Sequence, residues 1–205
     1  MQNKATDLFS SWAKKGKDEG MAEAHSPAVN KILDRILVGR ESDFNFIDAG
    51  CGNGWVVRKV NSSPLCKKAC GVDGAQSMIE NARAIDPAGE YHLADLLTWN
   101  PKNKAEIIFS MEVFYYFENP DILTKHIVDN WMTDGGTLII GLDHYIGNPD
   151  SYSWSEDLNV HMTLKDEQDW IQIFKNAGLS NCESFKVNVS DKFAGTLVIK
   201  GDLNH

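Results

Sequence analysis

The residues with the clearest chemical content are three aspartates and a set of glycines. Asp48-Ala49-Gly50-Cys51-Gly52-Asn53-Gly54 follows directly on a β-rich run that begins at Phe44. Glycines at a strand-to-helix turn let a ligand approach bare backbone and aim amide groups at whatever sits above the strand end. Asp73 and Asp95 close two further β-rich runs. Three carboxylates and a glycine turn at successive strand ends describe one crevice at the carboxyl edge of a sheet. In that crevice Asp48 can hold an ammonium group, Asp73 can accept both hydroxyls of a ribose, and Asp95 can accept the exocyclic amine of an adenine. Taken alone, Asp48 has the alternative of a helix cap, and Asp73 and Asp95 that of solvated strand ends. Their joint spacing argues for a ligand.

The turn does not read as a dinucleotide or phosphate loop. The third position of G-x-G-x-x-G holds Trp55, where close helix–strand packing asks for a minimal side chain. No G-K-[ST] follows, and Asp48 would repel a neighbouring phosphate. A cationic nucleoside suits the turn better, so a nicotinamide-dependent oxidoreductase is the weaker reading.

Alternating β-rich and helical patterns must position these residues. Strands are expected over 44–48, 69–73, 91–94, 107–109 and 137–142, and helices between them. Ser26-Pro27 reads as an N-cap and first-turn proline opening a helix with Ala28, Val29, Ile32, Leu33, Ile36 and Leu37 on one face. Further helices are expected over 55–60, after Gly74 with Ala75, Met78, Ile79 and Ala82 inward, and from Asn119-Pro120 with Ile122, Leu123, His126 and Ile127 inward. Thr163 and Asp166 suggest a capping box ahead of a helix carrying Trp170, Ile173, Phe174 and Ala177. Two last strands, 183–189 and 194–200, lack an intervening helix and should pair antiparallel. The expectation is an α/β fold with a parallel sheet ending in an antiparallel hairpin.

At this point the chain resembles the class I S-adenosylmethionine-dependent methyltransferases. The text that carries the resemblance is IDAGCGNGW (47–55), CGVDGAQSMIENAR (70–83), HLADLLTW (92–99), IIFSMEVFYYFENP (107–120) and DGGTLII (134–140). The resemblance implies a Rossmann-like, seven-stranded, mostly parallel sheet with helices on both faces. It implies that Asp48, Ala49, Gly50, Cys51 and Gly52 surround the methionine moiety of S-adenosyl-L-methionine. Asp73 would hold the ribose, with Gly74 and Met78 near the adenosine, while Ala94, Asp95 and Leu96 bracket the adenine. Ser110, Met111 and Glu112 would line the floor of the cofactor site. The product would be S-adenosyl-L-homocysteine.

Methyl transfer is an in-line displacement that asks mainly for orientation, with a base where the nucleophile must lose a proton. Candidates lie after the fourth and fifth strands. Tyr115 or Tyr116 is a pocket residue or packs beneath a helix, and His144 is a general base, a substrate partner or a loop histidine with a local bond. The polar stretch 147–159 shows little helix signal and reads as a functional loop. Residues 1–25 have no strand to join and are expected to fold over the cofactor as a lid, leaving 26–205 as the methyltransferase domain. Asp143 stands where a metal ligand could sit, but no second ligand is evident, so no metal is expected.

Composition narrows the partner. Twenty basic against 29 acidic residues give a net charge of −9, against the basic excess that phosphate contacts demand. A small-molecule acceptor is the expectation, with a protein or RNA acceptor, or a non-catalytic cofactor-binding module, as alternatives. No N-P-P-[YF] tetrapeptide follows the fourth strand, where the text is Ser110-Met111-Glu112-Val113. No apolar run approaches the ~20 residues of a membrane span, and four cysteines without zinc spacing read as free thiols of a cytoplasmic protein. Cys66 and Cys70 would meet if their segment were helical. No pattern fixes an oligomeric state.

Overall fold

A computed structural model describes residues 2–204. Seven strands form one sheet: β1 (Phe44–Ala49), β2 (Cys66–Asp73), β3 (Glu90–Leu93), β4 (Ala105–Met111), β5 (Met132–Leu142), β6 (Ser180–Val187) and β7 (Thr196–Asp202). Their order is β3-β2-β1-β4-β5-β7-β6. The first five run parallel, and β7 inserts antiparallel between β5 and β6. The order reverses between β1 and β4, which is where a doubly wound sheet opens a ligand crevice at its carboxyl edge.

Helices cover both faces, as expected. On one face α2 (Lys17–Leu37), α3 (Trp55–Asn61) and α4 (Gln76–Ile85) bury Ile32, Val57 and Ile79 against Phe46 and Phe109 of the sheet. On the other, α5 (Pro120–Asn130) and α7 (Glu167–Asn176) bury Leu123, Trp170 and Phe174 against Ile108 and Ile140. Central strands covered on both sides read as near-continuous apolar runs, which is why 107–109 was legible. Truncating Trp170 or Phe174, each 0% exposed, would cost about 3–5 kcal/mol. No helix among the described residues is long and apolar enough to cross a membrane.

Several expectations are corrected. The helix expected to open at Ser26-Pro27 begins at Lys17 and runs unbroken through Pro27. Glu23, whose carbonyl loses its N–H partner to the proline, and Pro27 itself are exposed, so water can satisfy the orphan. Ser26 caps nothing; its Oγ accepts from Asn30 Nδ2 at 3.3 Å. Residues 5–14 form a further helix, α1 (Ala5–Lys14), separated from α2 by a left-handed Gly16. Cys66 and Cys70 lie on β2, a strand and not a helix, and all four thiols are free.

In α5 the outward residue is Ile122, 59% exposed, because Thr124 and Val128 complete the inward stripe with Leu123 and Ile127. The capping box of α7 joins Asp166 and Asp169. Thr163 instead ties the lead-in of α7 to the loop after β4, its Oγ1 donating to the Phe117 carbonyl at 2.8 Å. The stretch 147–159 is more ordered than its composition suggested, with a 3₁₀ turn (Pro149–Ser151) and α6 (Trp154–Leu158). Asn148, 1% exposed, organises it by donating from Nδ2 to the Asp143 carbonyl at 2.7 Å.

Candidate active site

A cleft of about 1560 Å³ opens at the carboxyl ends of β1 to β4, roofed by α1 and the first turns of α2. The glycine turn forms its base with left-handed backbone at Gly50 (φ 80°), Gly52 (φ 53°) and Gly54 (φ 76°). These glycines have different reasons to be glycine. A Cβ on Gly50 would lie 2.3 Å from Val113 Cγ2, and one on Gly54 2.3 Å from Tyr91 Cε1. Both are packed against protein. A Cβ on Gly52 would meet only Met78 Sδ, at 3.9 Å, so Gly52 is where the backbone stands open to a ligand.

Asp73 is tied into this turn. Its Oδ2 accepts the Gly52 N–H at 2.9 Å and its Oδ1 accepts the Ala75 N–H at 2.7 Å. Each oxygen keeps a lone pair, so the carboxylate is fixed in orientation yet able to accept two hydroxyls. Asp48 differs. It is 2% exposed, lines the cleft, and its Oδ2 has no hydrogen-bond partner among the described residues. Burial, then the nearby Asp73 charge, push its carboxyl up to about 8. A buried carboxylate oxygen without a donor is costly, and a cation entering the cleft would remove that cost.

Asp95 is exposed, and its Oδ1 accepts the Leu97 N–H at 3.0 Å, which leaves Oδ2 for a ligand. Leu96 and Met78, 5% and 3% exposed, present apolar walls, with Gly74 and Ala94 beside them. Cys51, Met111, Glu112 and Tyr115 also line the cleft. Two residues expected at the surface of the site sit behind it. Ser110, 0% exposed, donates from Oγ to the Ala49 carbonyl at 2.7 Å, fastening β4 to β1 beneath the turn.

His144 is not in the cleft wall. It is 2% exposed, its Nδ1 is 3.0 Å from the Ser151 carbonyl, and burial lowers its pKa. Its ring stands edge-on to Tyr115 at 5.3 Å and stacks on Trp154 at 6.2 Å. The structure therefore gives it a positioning place behind two cleft rings and no reach to the cleft itself.

Among the described residues two histidines line the cleft, His161 and, on α2, His25. His25 meets Glu112 and Asp143, and the ligand atoms of all three lie within 4.8 Å of one another. Glu112 follows β4 with left-handed backbone (φ 61°), uncommon for a residue with a Cβ and worth about 1–3 kcal/mol of strain. Its side chain is held from two sides: Oε1 accepts the Asp143 N–H at 2.5 Å and Oε2 accepts the Tyr115 hydroxyl at 2.7 Å. Burial, then Asp143, raise the Glu112 pKa well above the usual carboxylate range. Burial also lowers that of His25, with Asp143 opposing, so the imidazole is held neutral, with a ring nitrogen able to accept a proton.

Sequence reasoning also missed Asp18. This residue of α2, 5% exposed, accepts on Oδ2 from Asn53 Nδ2 and from Asn81 Nδ2, both at 3.1 Å. It pins the glycine turn and α4 to the roof. The roof touches the end of β2 and the start of α4 elsewhere too: the Ser77 N–H reaches Ser10 Oγ at 3.4 Å, and a Cβ on Gly74 would lie 2.8 Å from Thr6 Cγ2. A second titratable cluster, Cys70, Glu90 and His92, lies at the sheet edge. Glu90 is spent there on Lys68 and His92, and burial pushes the thiol up to about 12, which leaves a poor donor set for a metal.

Comparison with known proteins bears on this geometry. A family model described as a methyltransferase domain matches residues 17–184. The trans-aconitate 2-methyltransferase of Agrobacterium fabrum is 26% identical over 165 residues, covering 80% of this chain but 59% of that protein. The chain thus spans little more than half the length of that relative. The methyltransferase in complex with the Haloferax volcanii Trm112 methyltransferase activator superposes with a TM-score of 0.83 at 24% identity, covering 96% of this chain and 98% of the other. The N-methyltransferase NodS of Bradyrhizobium japonicum, solved with S-adenosyl-L-homocysteine, superposes with a TM-score of 0.65 at 18% identity, covering 89% and 87%. At these identities the two structures bear on the fold alone.

Proposed function

The chain belongs to the class I S-adenosylmethionine-dependent methyltransferase family, and on that premise we propose that it methylates a small or medium-sized acceptor bound in the cleft beside Glu112 and Tyr115. The observation that carries the reading is the buried, partnerless Oδ2 of Asp48 next to the open backbone of Gly52. This pair fits a ligand that brings a cation and a close approach together. S-adenosylmethionine supplies an activated methyl group on a sulfonium.

The chain's own residues do the rest. Asp48 receives the α-ammonium group, and Asp73, already oriented by two amides, accepts the ribose hydroxyls. Met78 and Leu96 sandwich the adenine while the free Oδ2 of Asp95 accepts from its amine. Helix α1 acts as the lid of this half of the cleft, since Thr6 and Ser10 already touch Gly74 and Ser77. Tyr115 and Trp154 shape the acceptor half, held from behind by His144. The net charge of −9 and the acidic wall count against an RNA acceptor.

Calorimetric titration with S-adenosylhomocysteine tests the reading. Wild-type protein should bind, and Asp73→Ala should lose a charge-assisted contact to the ribose of about 2 kcal/mol, some thirtyfold in Kd. No binding by the wild type, or equal binding by the variant, would refute it. Release of S-adenosylhomocysteine with an acceptor present would separate an enzyme from a non-catalytic binding module.

A further inference from the structure

Building on that reading, we infer that the acceptor is an amine, taken up as an organic ammonium by Glu112, Asp143 and His25 within the ring of Tyr115, Tyr116 and Trp154. Five observations converge. The three polar groups lie within 4.8 Å of one another, with no direct hydrogen bond or ion pair between His25 and either carboxylate, so the gap has room for a further polar atom. Oδ1 of Asp143 is buried with no hydrogen-bond partner, and burial holds that carboxyl above its ordinary range. Glu112 is locked by the Asp143 N–H and the Tyr115 hydroxyl in a strained left-handed conformation. Such strain persists where surrounding contacts over-determine it, and it marks sites of function.

The aromatic rings supply the fourth element. Tyr115 and Tyr116 pack 4.6 Å apart, Phe9 of α1 meets Tyr116 at 5.3 Å, and Trp154 completes the wall. Aromatic faces attract ammonium groups and shelter the alkyl part of an amine. The fifth element is the charge of the wall. No arginine is among the described residues that line the cleft, and its two lysines, Lys4 and Lys14, stand at the two ends of α1. Recognition of a carboxylate acceptor favours a guanidinium fork, and beside Glu112 and Asp143 a polycarboxylate would face acceptor oxygens in place of cationic donors. The acceptor named for the Agrobacterium relative therefore does not suit this chamber.

The step balances as follows. The bound ammonium gives one proton to the neutral imidazole of His25. The freed nitrogen lone pair forms the N–C bond to the methyl carbon as the C–S bond breaks, its electron pair staying on sulfur. Positive charge passes from sulfur to the N-methylammonium product, which stays beside the two carboxylates until release, and His25 returns its proton to water.

Wild-type protein loaded with S-adenosylhomocysteine is titrated calorimetrically with phenethylammonium, histamine and butylammonium, and separately with trans-aconitate. At least one amine should bind and trans-aconitate should not. Glu112→Gln and Asp143→Asn should each weaken that amine by about tenfold or more, with a melting temperature close to that of the wild type as the control for folding. His25→Asn should keep the amine bound and slow its methylation by S-adenosylmethionine about tenfold or more. The inference is overturned if none of the three amines binds the loaded protein, or if the carboxylate variants bind them unchanged. It is equally overturned if trans-aconitate binds, with or without added Mg²⁺. Unchanged turnover in His25→Asn removes that residue from the step. A protein that never takes up S-adenosylhomocysteine fails the methyltransferase reading instead, so the two failures are distinguishable.

Discussion

Binding of S-adenosylmethionine should expel a proton from Asp48. With its carboxyl pushed up to about 8 by burial, Asp48 is almost wholly protonated at pH 6.5 in the free protein. The α-amino group of the free nucleoside, with a pKa of about 7.7–8, is already charged at that pH. Seating the ammonium on Asp48 favours the ionised carboxylate, so close to one proton should leave per ligand. At pH 9.5 Asp48 is ionised beforehand and the amino group largely neutral, so binding should take up a proton. Calorimetry in buffers of different ionisation enthalpy reads the number directly. Asp48→Asn should abolish the release at pH 6.5 and weaken binding. The same shift governs stability. The folded state keeps a proton that the unfolded chain gives up near pH 4, so this contribution is present below pH 4 and lost as pH rises through about 8. The loss amounts to at most roughly 5–6 kcal/mol, and Asp48→Asn should therefore raise Tm more at pH 8.5 than at pH 5. No proton release at pH 6.5, or release that survives Asp48→Asn, would refute the assignment of the ammonium to this carboxylate.

Other substitutions separate parts of the site. Asp18→Ala strands two amide donors in a buried contact and should cost about 2 kcal/mol, seen as a lower Tm together with weaker S-adenosylhomocysteine binding; unchanged values would deny that the roof pins the turn. Gly50→Val meets Val113 at 2.3 Å in a left-handed backbone and should destabilise by about 2–5 kcal/mol. Tm should then fall by about 5–15 °C, and a variant of wild-type Tm that merely fails to bind would show that Gly50 serves the ligand alone. Removing residues 1–14 takes away α1 while sparing α2, and should weaken S-adenosylhomocysteine several-fold; equal affinity would end the lid assignment.

The half of the cleft around the glycine turn was legible because its signals are local. A glycine turn with an aspartate at its head and acidic residues at the next two strand ends are written within short stretches, and apolar periodicity fixes the strands that bring them together. The half beside His25 and Glu112 was not, because it is made by helix packing. Asp18 and His25 looked like members of a polar leader, since Ser26-Pro27 imitates a helix start while α2 runs through it, Glu23 and Pro27 both being exposed. His144 had the better local setting, yet the turn built on Asn148 and Ser151 rotates it behind Tyr115. Ala49 and Ser110 were rightly placed in the chain, but their bond to each other holds them beneath the cleft surface. Gly50 looked like a residue bared for a ligand, whereas Val113 occupies the space a side chain would need.

The central claim is that Asp48 and Asp73 hold one nucleoside across the turn at Gly52. A crystal structure with S-adenosylhomocysteine tests it most directly. The account predicts the amino group of the ligand against Asp48 Oδ2, both ribose hydroxyls on Asp73, and empty space between the sulfur and the trio of His25, Glu112 and Asp143. A nucleoside seated elsewhere, or one that leaves Asp48 Oδ2 without a partner, would contradict it.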